Sequence, residues 1–406
     1  MHSPPSIYED LDVPTVVNAA GTKTRVGGSL IRAEAAEAMR DAANGFAHLS
    51  DLQSRASELI AEATGAEAGY VTCGASAALL LASAACIAGD DLAAMARLPD
   101  TEDLPSEIVM PRTHRTGYDH ALRAAGATIV DVGTNDPHLG TGASAVKAWE
   151  LDAAIGPETV AVAYVEKPYL GPDLSDVVEI AHANDVPVIV DAAAELPPTK
   201  NLSAFVETGA DLVAFSGGKA IRGPQTTGIL AGRRELIESV ALQHLDWHVD
   251  EAVWQPPAGL IDRDRVEGVP RQGIGRSAKV GKEEIVGLIR ALELFREEDQ
   301  DALKREWRAR AERIADGLDG RAGIEAKVDA ASKTAVSPEV TVRIDDYTDR
   351  SACSLVHDLF DADPRIVVGA DGAADGELTI SPMCLTDAEA DLVVDRVLSF
   401  LDVEPA

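Results

Sequence analysis

The sequence predicts an α/β chain: a large domain on a mostly parallel sheet, then a small C-terminal α+β domain. Three observations predict it. Short apolar runs ending in glycine, serine or a polar residue alternate with helical periods from about residue 69 to 232, as β–α–β units require. One run, TVAVAYVE, is continuously apolar and β-branched, which suits a central strand buried on both faces. Past two long charged helices at 281–318, short strands and helices mix. The boundaries expected from this are an arm at 1–14, a large domain at 15–280 and linking helices with the small domain at 281–406.

Taken in order, residues 15–30 (TVVNAAGTKTRVGGSL) run from a short apolar strand into a loop of Gly and Thr. Asn18, Thr22, Thr24 and Arg25 there read equally as a pocket mouth or as a polar entry to a sheet. A helix at 32–42 stops at Asn44-Gly45, a usual stop signal. His48 precedes an amphipathic helix at 53–64, as a packed or capping residue or as an acid/base group. Next, GYVTCGASAALLLASAACIA sets a strand at 69–73 before a long Ala/Leu helix opened by Gly74, Ala75 and Ser76. Backbone N–H groups and the helix dipole at such a start favour a phosphate, with the Ser76 hydroxyl as a further donor. Small residues at such a turn also serve packing alone. No GxGxxG and no Walker lysine is present, so neither a dinucleotide nor a nucleoside triphosphate is indicated.

A strand at 107–110 leads to His114 and Arg115, at the start of a helix reaching about 125. An imidazole there suits stacking on a flat ligand and an arginine suits an anion, whereas His120 and Arg123 read as surface. Strands at 128–133 and 159–166, separated by an exposed loop and a helix at 146–155, continue the alternation. After a helix at 174–184, PVIVDAAAELPP sets a strand at 188–190 with Asp191 at its C-terminal end. Ligands of open α/β sheets bind at those ends; a carboxylate there also caps turns. The strand at 212–215 breaks at Ser216-Gly217-Gly218, with Lys219 just past it and a further strand at 228–231. A lysine held among small residues at a strand end is what imine chemistry needs: an amine near an aldehyde and partly dehydrated. A solvated loop lysine shares that local sequence. Together with Asp191 the other reading gains, the carboxylate pairing with a protonated ring nitrogen while Lys219 holds the same ring.

Residues 244–282 show little periodicity and include Trp247, His248 and Trp254; long irregular segments are usually functional or interfacial. Within them RQGIGRSAKVGKEE gathers Arg271, Arg276, Lys279 and Lys282. Holding an anionic substrate, across a subunit boundary, and capping or salt-bridging helices are the two readings. Strands at 339–344, 366–368 and 377–381 with helices at 351–359 and 387–401 make up the expected small domain, where Arg365 is another anion candidate.

The composition sets bounds. A chain of 406 residues, 46% hydrophobic with 33 glycines, suffices for one large and one smaller core. The net charge of −32 suggests adaptation to high salt and speaks against tight nucleic-acid binding. No apolar run reaches membrane-spanning length and the N-terminus lacks a signal pattern, so a cytoplasmic protein is expected. Cys73, Cys86, Cys353 and Cys384 are scattered; neither a disulfide framework nor a metal site is indicated.

The stretches VNAAGTKTRVGG, TGAEAGYVTCGASAAL, DAAAELPP, SGGKAIRGPQTTGIL and GRSAKVGKEE resemble the SelA-like group of fold type I enzymes of pyridoxal 5'-phosphate (PLP). That group includes selenocysteine synthases and D-glucosaminate-6-phosphate ammonia-lyases. The resemblance spans nearly the whole chain and implies a seven-stranded-type sheet, PLP as cofactor and a homodimer or higher oligomer. It implies that Lys219 forms the internal aldimine and Asp191 holds the pyridine nitrogen. Gly74, Ala75, Ser76 and Ser216 then cradle the phosphate, and His114 stacks on the ring. Thr22, Arg25, His48, Arg271, Arg276 and Arg365 remain candidate substrate contacts. One departure stands out: the core-like sequence begins by about residue 15, without room for the N-terminal tRNA-binding domain of selenocysteine synthase. The activity so expected is a lyase that eliminates a β-hydroxyl and releases ammonia and a 2-oxo acid. A racemase or epimerase using His48 or His114 as second acid/base group, or a transferase of selenium or sulfur, is the alternative.

Overall fold

This computed structural model describes residues 6–133, 146–167, 171–321, 323–329, 337–345 and 350–401. The expected exposed loop after residue 133 and the first five residues of the expected arm lie outside them. The chain divides into two compact units: Ile31–Glu298, and Met1–Leu30 together with Asp299–Ala406. Strands are numbered in chain order. They are β1 (Val16–Ala19), β2 (Ala68–Thr72), β3 (Glu107–Pro111), β4 (Thr128–Val132), β5 (Thr159–Val165), β6 (Val188–Asp191), β7 (Leu212–Ser216), β8 (Gly228–Gly232), β9 (Ile324–Val328), β10 (Val340–Ile344), β11 (Arg365–Val368) and β12 (Glu377–Ile380).

In the larger unit β2 to β8 form a seven-stranded sheet in the order β2-β8-β7-β6-β5-β3-β4. β3, β4, β5, β6 and β7 pair in parallel, and β8 runs antiparallel to both its neighbours. Val162, Val188, Val190, Leu212 and Val213 are all wholly buried. Their unbroken apolar runs reflect helical cover on both faces of a parallel sheet. The helix Gly74–Ala88 is likewise buried on nearly every side, which is why alanine and leucine fill it without a polar stripe.

β2 is an edge strand, and an edge offers unpaired backbone groups. Gln53, from the helix Leu49–Thr64, meets both of them at Val71: its amide nitrogen donates to the carbonyl at 2.8 Å, and its oxygen accepts from the N–H at 3.0 Å. The Ser57 hydroxyl accepts from Gly69 N–H at 3.1 Å. Gly69 has no side chain because a Cβ there would sit 2.2 Å from Ile60. The helix therefore closes the edge and fixes where β2 ends.

In the smaller unit β1 pairs in parallel with β11, and β12-β10-β9 form an antiparallel sheet. The helices Gln300–Leu318, Ala352–Asp361 and Asp387–Phe400 accompany them. Two expected boundaries move. β1 belongs to this unit and not to the large one, because its four residues pair with Arg365–Val368 and Ala19 O also accepts from Ser381 N–H at 2.8 Å. The helix Lys282–Glu297 stays in the larger unit, since Ile285, Leu288, Leu292 and Phe295 are buried as it packs on the helices Ala33–Ala43 and Leu49–Thr64. β9 was not expected.

Candidate active site

The parallel strands of the larger unit end along one edge, and the expected chemistry gathers there. Asp191 closes β6, paired with Ala214 of β7, five residues before Lys219. The ladder runs on past both ends: Glu166 N–H donates to Asp191 O at 3.1 Å, and Ala192 N–H to Ala214 O at 3.0 Å. One Asp191 carboxylate oxygen accepts from Ala193 N–H at 3.1 Å, so the residue caps its turn as well as facing the edge. Burial pushes its carboxyl above the usual range, and the Ala193 N–H and the charges of Lys219 and Lys167 pull it partly back. The last influence puts both amines within electrostatic reach of Asp191.

Lys219 is half-buried in a tight loop. Gly217 N–H donates to Thr227 O at 2.8 Å, Gly223 N–H to Gly217 O at 2.9 Å, and Arg222 N–H to Lys219 O at 3.0 Å. A Cβ on Gly218 would lie 2.5 Å from Gln225 Cα, so only glycine permits this closure. Arg222 takes the left-handed region, φ 59°, which is uncommon outside glycine. Arg32 holds that turn from outside: its N–H donates to Arg222 O at 3.0 Å and its Nε to Ile221 O at 3.0 Å.

The corner expected to take the phosphate is built on a row of three strands. Thr72 of β2 lies opposite Gly228 of β8, which lies opposite Ser216 of β7. The helix of Gly74, Ala75 and Ser76 starts directly above this row; a Cβ on Gly228 would meet Gly74 C at 2.5 Å and Ala75 N at 2.6 Å. The absent side chain lets the helix N-terminus, with its outward N–H groups and positive dipole end, come down onto the sheet edge. Gly74 itself has φ 86°, and a Cβ there would meet nothing within 4 Å; conformation, not crowding, requires it.

His114 follows β3 in the turn Arg112–His114. It is wholly buried, meets Tyr164 edge-on at 4.5 Å between centroids, and accepts at Nδ1 from Val165 N–H at 3.4 Å. Its Nε2 is buried without a hydrogen-bond partner among the described residues. Burial and the nearby Lys167 charge lower its pKa to about 4, so the ring is neutral at ordinary pH. The helix expected to start at His114 begins only at Asp119, so the imidazole sits in the preceding turn, edge-on to Tyr164.

Other expected contacts disperse. Arg115 pairs with Asp119 and, at 2.7 Å, with Asp131, so its charge is already met within the chain. Lys282 donates to Ala42 O at 2.8 Å and pairs with Glu283, which is the helix-capping alternative. Arg276 is half-buried in Ile274–Ala278, a turn tied down by His244 Nε2 to Ala278 O at 3.0 Å, and its charge is felt at Tyr70. His48 and Arg271 are exposed. Thr22, Arg25 and Arg365 belong to the smaller unit, where Arg365 lies over the Phe360 ring at 4.6 Å.

A profile of the class-V aminotransferase family matches residues 144–356, about half of the chain. The chain belongs to the class-V aminotransferase family. It is thus an enzyme of the PLP-dependent, fold type I kind, and its cofactor is PLP. Among its relatives, D-glucosaminate-6-phosphate ammonia lyase of Salmonella typhimurium (strain 14028s / SGSC 2262) is 35% identical over 299 residues, covering 72% of this chain and 70% of the relative. The 5'-C-glycyluridine monooxygenase-decarboxylase of a Streptomyces species is 30% identical, covering 97% and 92%. A solved structure of D-glucosaminate-6-phosphate ammonia-lyase superposes with TM-score 0.79 at 28% identity, over 98% of this chain and 99% of that one.

The residues present fit this cofactor. A carboxylate closing β6 and an amine three residues past β7 stand along one edge, beside a helix start that a glycine brings down to the sheet. Four residues that shape this edge were not singled out from the sequence. Lys167 donates to Thr113 O at 2.8 Å; Glu166, Glu195 and Arg32 are the others. Glu166 and Glu195 stand in plain view in TVAVAYVE and DAAAELPP; for Glu166 the available signal was a charge at the last position of an apolar run.

Proposed function

We propose that this family member is a lyase that removes ammonia by α,β-elimination from a hydroxylated amino acid or an aminated sugar acid, leaving a 2-oxo acid. One observation carries the reading: Asp191 ends β6 and Lys219 stands three residues past the end of the neighbouring β7, in a chain 35% identical to a relative named as an ammonia lyase. When bound, PLP draws electrons from the substrate's α-carbon. Lys219 would hold the cofactor by its aldehyde carbon, and its amine, when free, would take the α-proton. Asp191 would pair with the ring nitrogen and keep it protonated; its burial would make that partner valuable, since an isolated buried carboxylate is costly. Gly74, Ala75 and Ser76 offer N–H groups to the phosphate, with the hydroxyls of Ser76 and Ser216 beside them. His114 backs the pocket wall through Tyr164. Arg276 binds the substrate's anionic group in this reading, and Thr22, Arg25, His48, Arg271 and Arg365 are further candidates for that task.

A homodimer or larger assembly, a cytoplasmic location and tolerance of high salt belong to the same proposal, the last resting on the charge of −32. The same charge supports a small-molecule substrate over nucleic acid. Among the described residues no helix is long and apolar enough to cross a membrane.

The test is a screen of the purified, yellow protein with D- and L-β-hydroxy amino acids and aminated sugar acids. Ammonia with a 2-oxo acid is the expected result. Inversion without ammonia would make it a racemase. Dioxygen uptake with decarboxylation would align it with the Streptomyces relative, and none of these would leave the transferase.

A further inference from the structure

Glu195 lies four residues past Asp191 on the loop leaving β6. Both ends of its peptide are pinned: its N–H donates to Ala192 O at 3.1 Å, and its carbonyl accepts from Asn201 Nδ2 at 2.7 Å. The half-buried side chain is thereby kept at the edge where β5, β6 and β7 end. Strand pairing gathers three groups beside that loop, Glu166 after β5, Asp191 on β6 and Lys219 beyond β7, and the charges of all three reach the Glu195 carboxyl. Tyr164 senses it together with Glu166 and Asp173.

We infer that Glu195 is the acid that protonates the departing β-hydroxyl in the proposed elimination, an inference that rests on the lyase reading. Hydroxide is a poor leaving group, so cleavage of the Cβ–O bond needs a proton donor. Lys167 is held by Thr113 O at 2.8 Å, and three other groups at this edge are committed or unsuited. Asp191 serves the ring nitrogen, Lys219 receives the α-proton, and His114 is buried and neutral. Glu195 is different. Burial first, then the charges of Glu166 and Asp191, push its carboxyl up, the Lys219 charge draws it back, and it settles at about 7. It therefore holds a proton part of the time at neutral pH, within the field of the amine that takes the α-proton. In the step, the Cα–H bond breaks as Lys219 Nζ takes the proton, and the released pair forms a Cα=Cβ double bond. The Cβ–O bond breaks, and its oxygen leaves as water with the proton of Glu195. The carboxylate is reprotonated by solvent, and no oxidant or reductant takes part.

The experiment compares wild type with Glu195→Gln using DL-serine, DL-3-chloroalanine and D-glucosaminate 6-phosphate, because chloride leaves without a proton. With the hydroxylated probes, ammonia release by Glu195→Gln should fall about a hundredfold or more, while release from chloroalanine and deuterium exchange at Cα in D2O change by less than about threefold. Infrared titration of the cofactor-free chain supplies an independent readout: wild type minus Glu195→Gln should show a protonated carboxyl band that disappears with a midpoint of about 7. Equal losses on hydroxyl and chloride probes, unchanged release from the hydroxylated probes, or no such band would overturn the role of Glu195 alone. Should wild type release ammonia from none of the three, the lyase reading itself fails and takes the inference with it.

Discussion

The guanidinium of Arg32 holds the carbonyl of Ile221 at 3.0 Å, two residues past Lys219, while its two terminal nitrogens meet both oxygens of Glu298 at 2.8 Å. The Arg32 side chain is 10% exposed and that of Glu298 16%, so the fork is shielded from solvent and the lysine loop is clamped by a charge held in place. Removing one partner of a buried pair costs far more than removing an exposed one. Arg32→Ala should destabilise the chain by about 3 kcal/mol in urea unfolding, and PLP retained through gel filtration should fall with it. Arg32→Lys should restore little, since a point charge cannot reproduce the bidentate geometry.

Lys219→Ala should abolish the borohydride-reducible adduct, and Asp191→Asn should lower turnover by about a hundred- to a thousandfold, as for a lost preorganised charge. The two properties of Asp191 should separate. Its folded pKa is raised, so its ionised form is a burden on the cofactor-free fold above that pKa. Asp191→Asn should therefore raise the melting temperature of the cofactor-free protein at neutral pH while losing activity. Equal melting temperatures for the two proteins at pH 8 would contradict the account.

His114 makes a pH prediction. Unfolded, the imidazole takes a proton near 6.5; folded, it resists until about 4. The unfolded state binds more protons in that window, so stability falls as pH drops from 6.5 towards 4, by about 3 kcal/mol in full. Urea midpoints of wild type and His114→Gln at pH 7.5 and 5 measure this, and the variant should lose less on acidification.

Gln53 is tested by Gln53→Ala, which strips the covering bonds from Val71 N–H and C=O at the edge of β2. Unmet backbone groups of this kind cost about 2 kcal/mol together, and amide exchange at Val71 should quicken more than at β6.

What could be read from the sequence was local. TVAVAYVE, PVIVD and AFSGGK each carry their own apolar run and their own stop, so strand, strand end and the candidate residues at 191 and 219 could be named without coordinates. What required the fold was partnership over distance. VVNA says nothing of a partner some 350 positions on, and GILAG contains no hint that it runs against its neighbours. IEAKV hides a strand because Glu325 and Lys327 face outward between Ile324, Ala326 and Val328. Arg115 looked available because its second partner, Asp131, lies on another strand. Glu195 and Glu166 became interesting only when the ends of β5 and β6 brought their carboxyls within electrostatic reach of each other.

That carboxyl-lined edge, on a chain of net charge −32, bears on how the enzyme meets its substrate in solution. An anionic molecule diffusing inwards is repelled over a distance set by the ionic atmosphere, about 10 Å at 0.1 M salt and about 3 Å at 1 M. Brine should then act as an accelerator, shrinking the repulsive zone until capture depends on the pocket alone, so kcat/KM for an anionic substrate should climb with ionic strength, where an enzyme that attracts its substrate would slow.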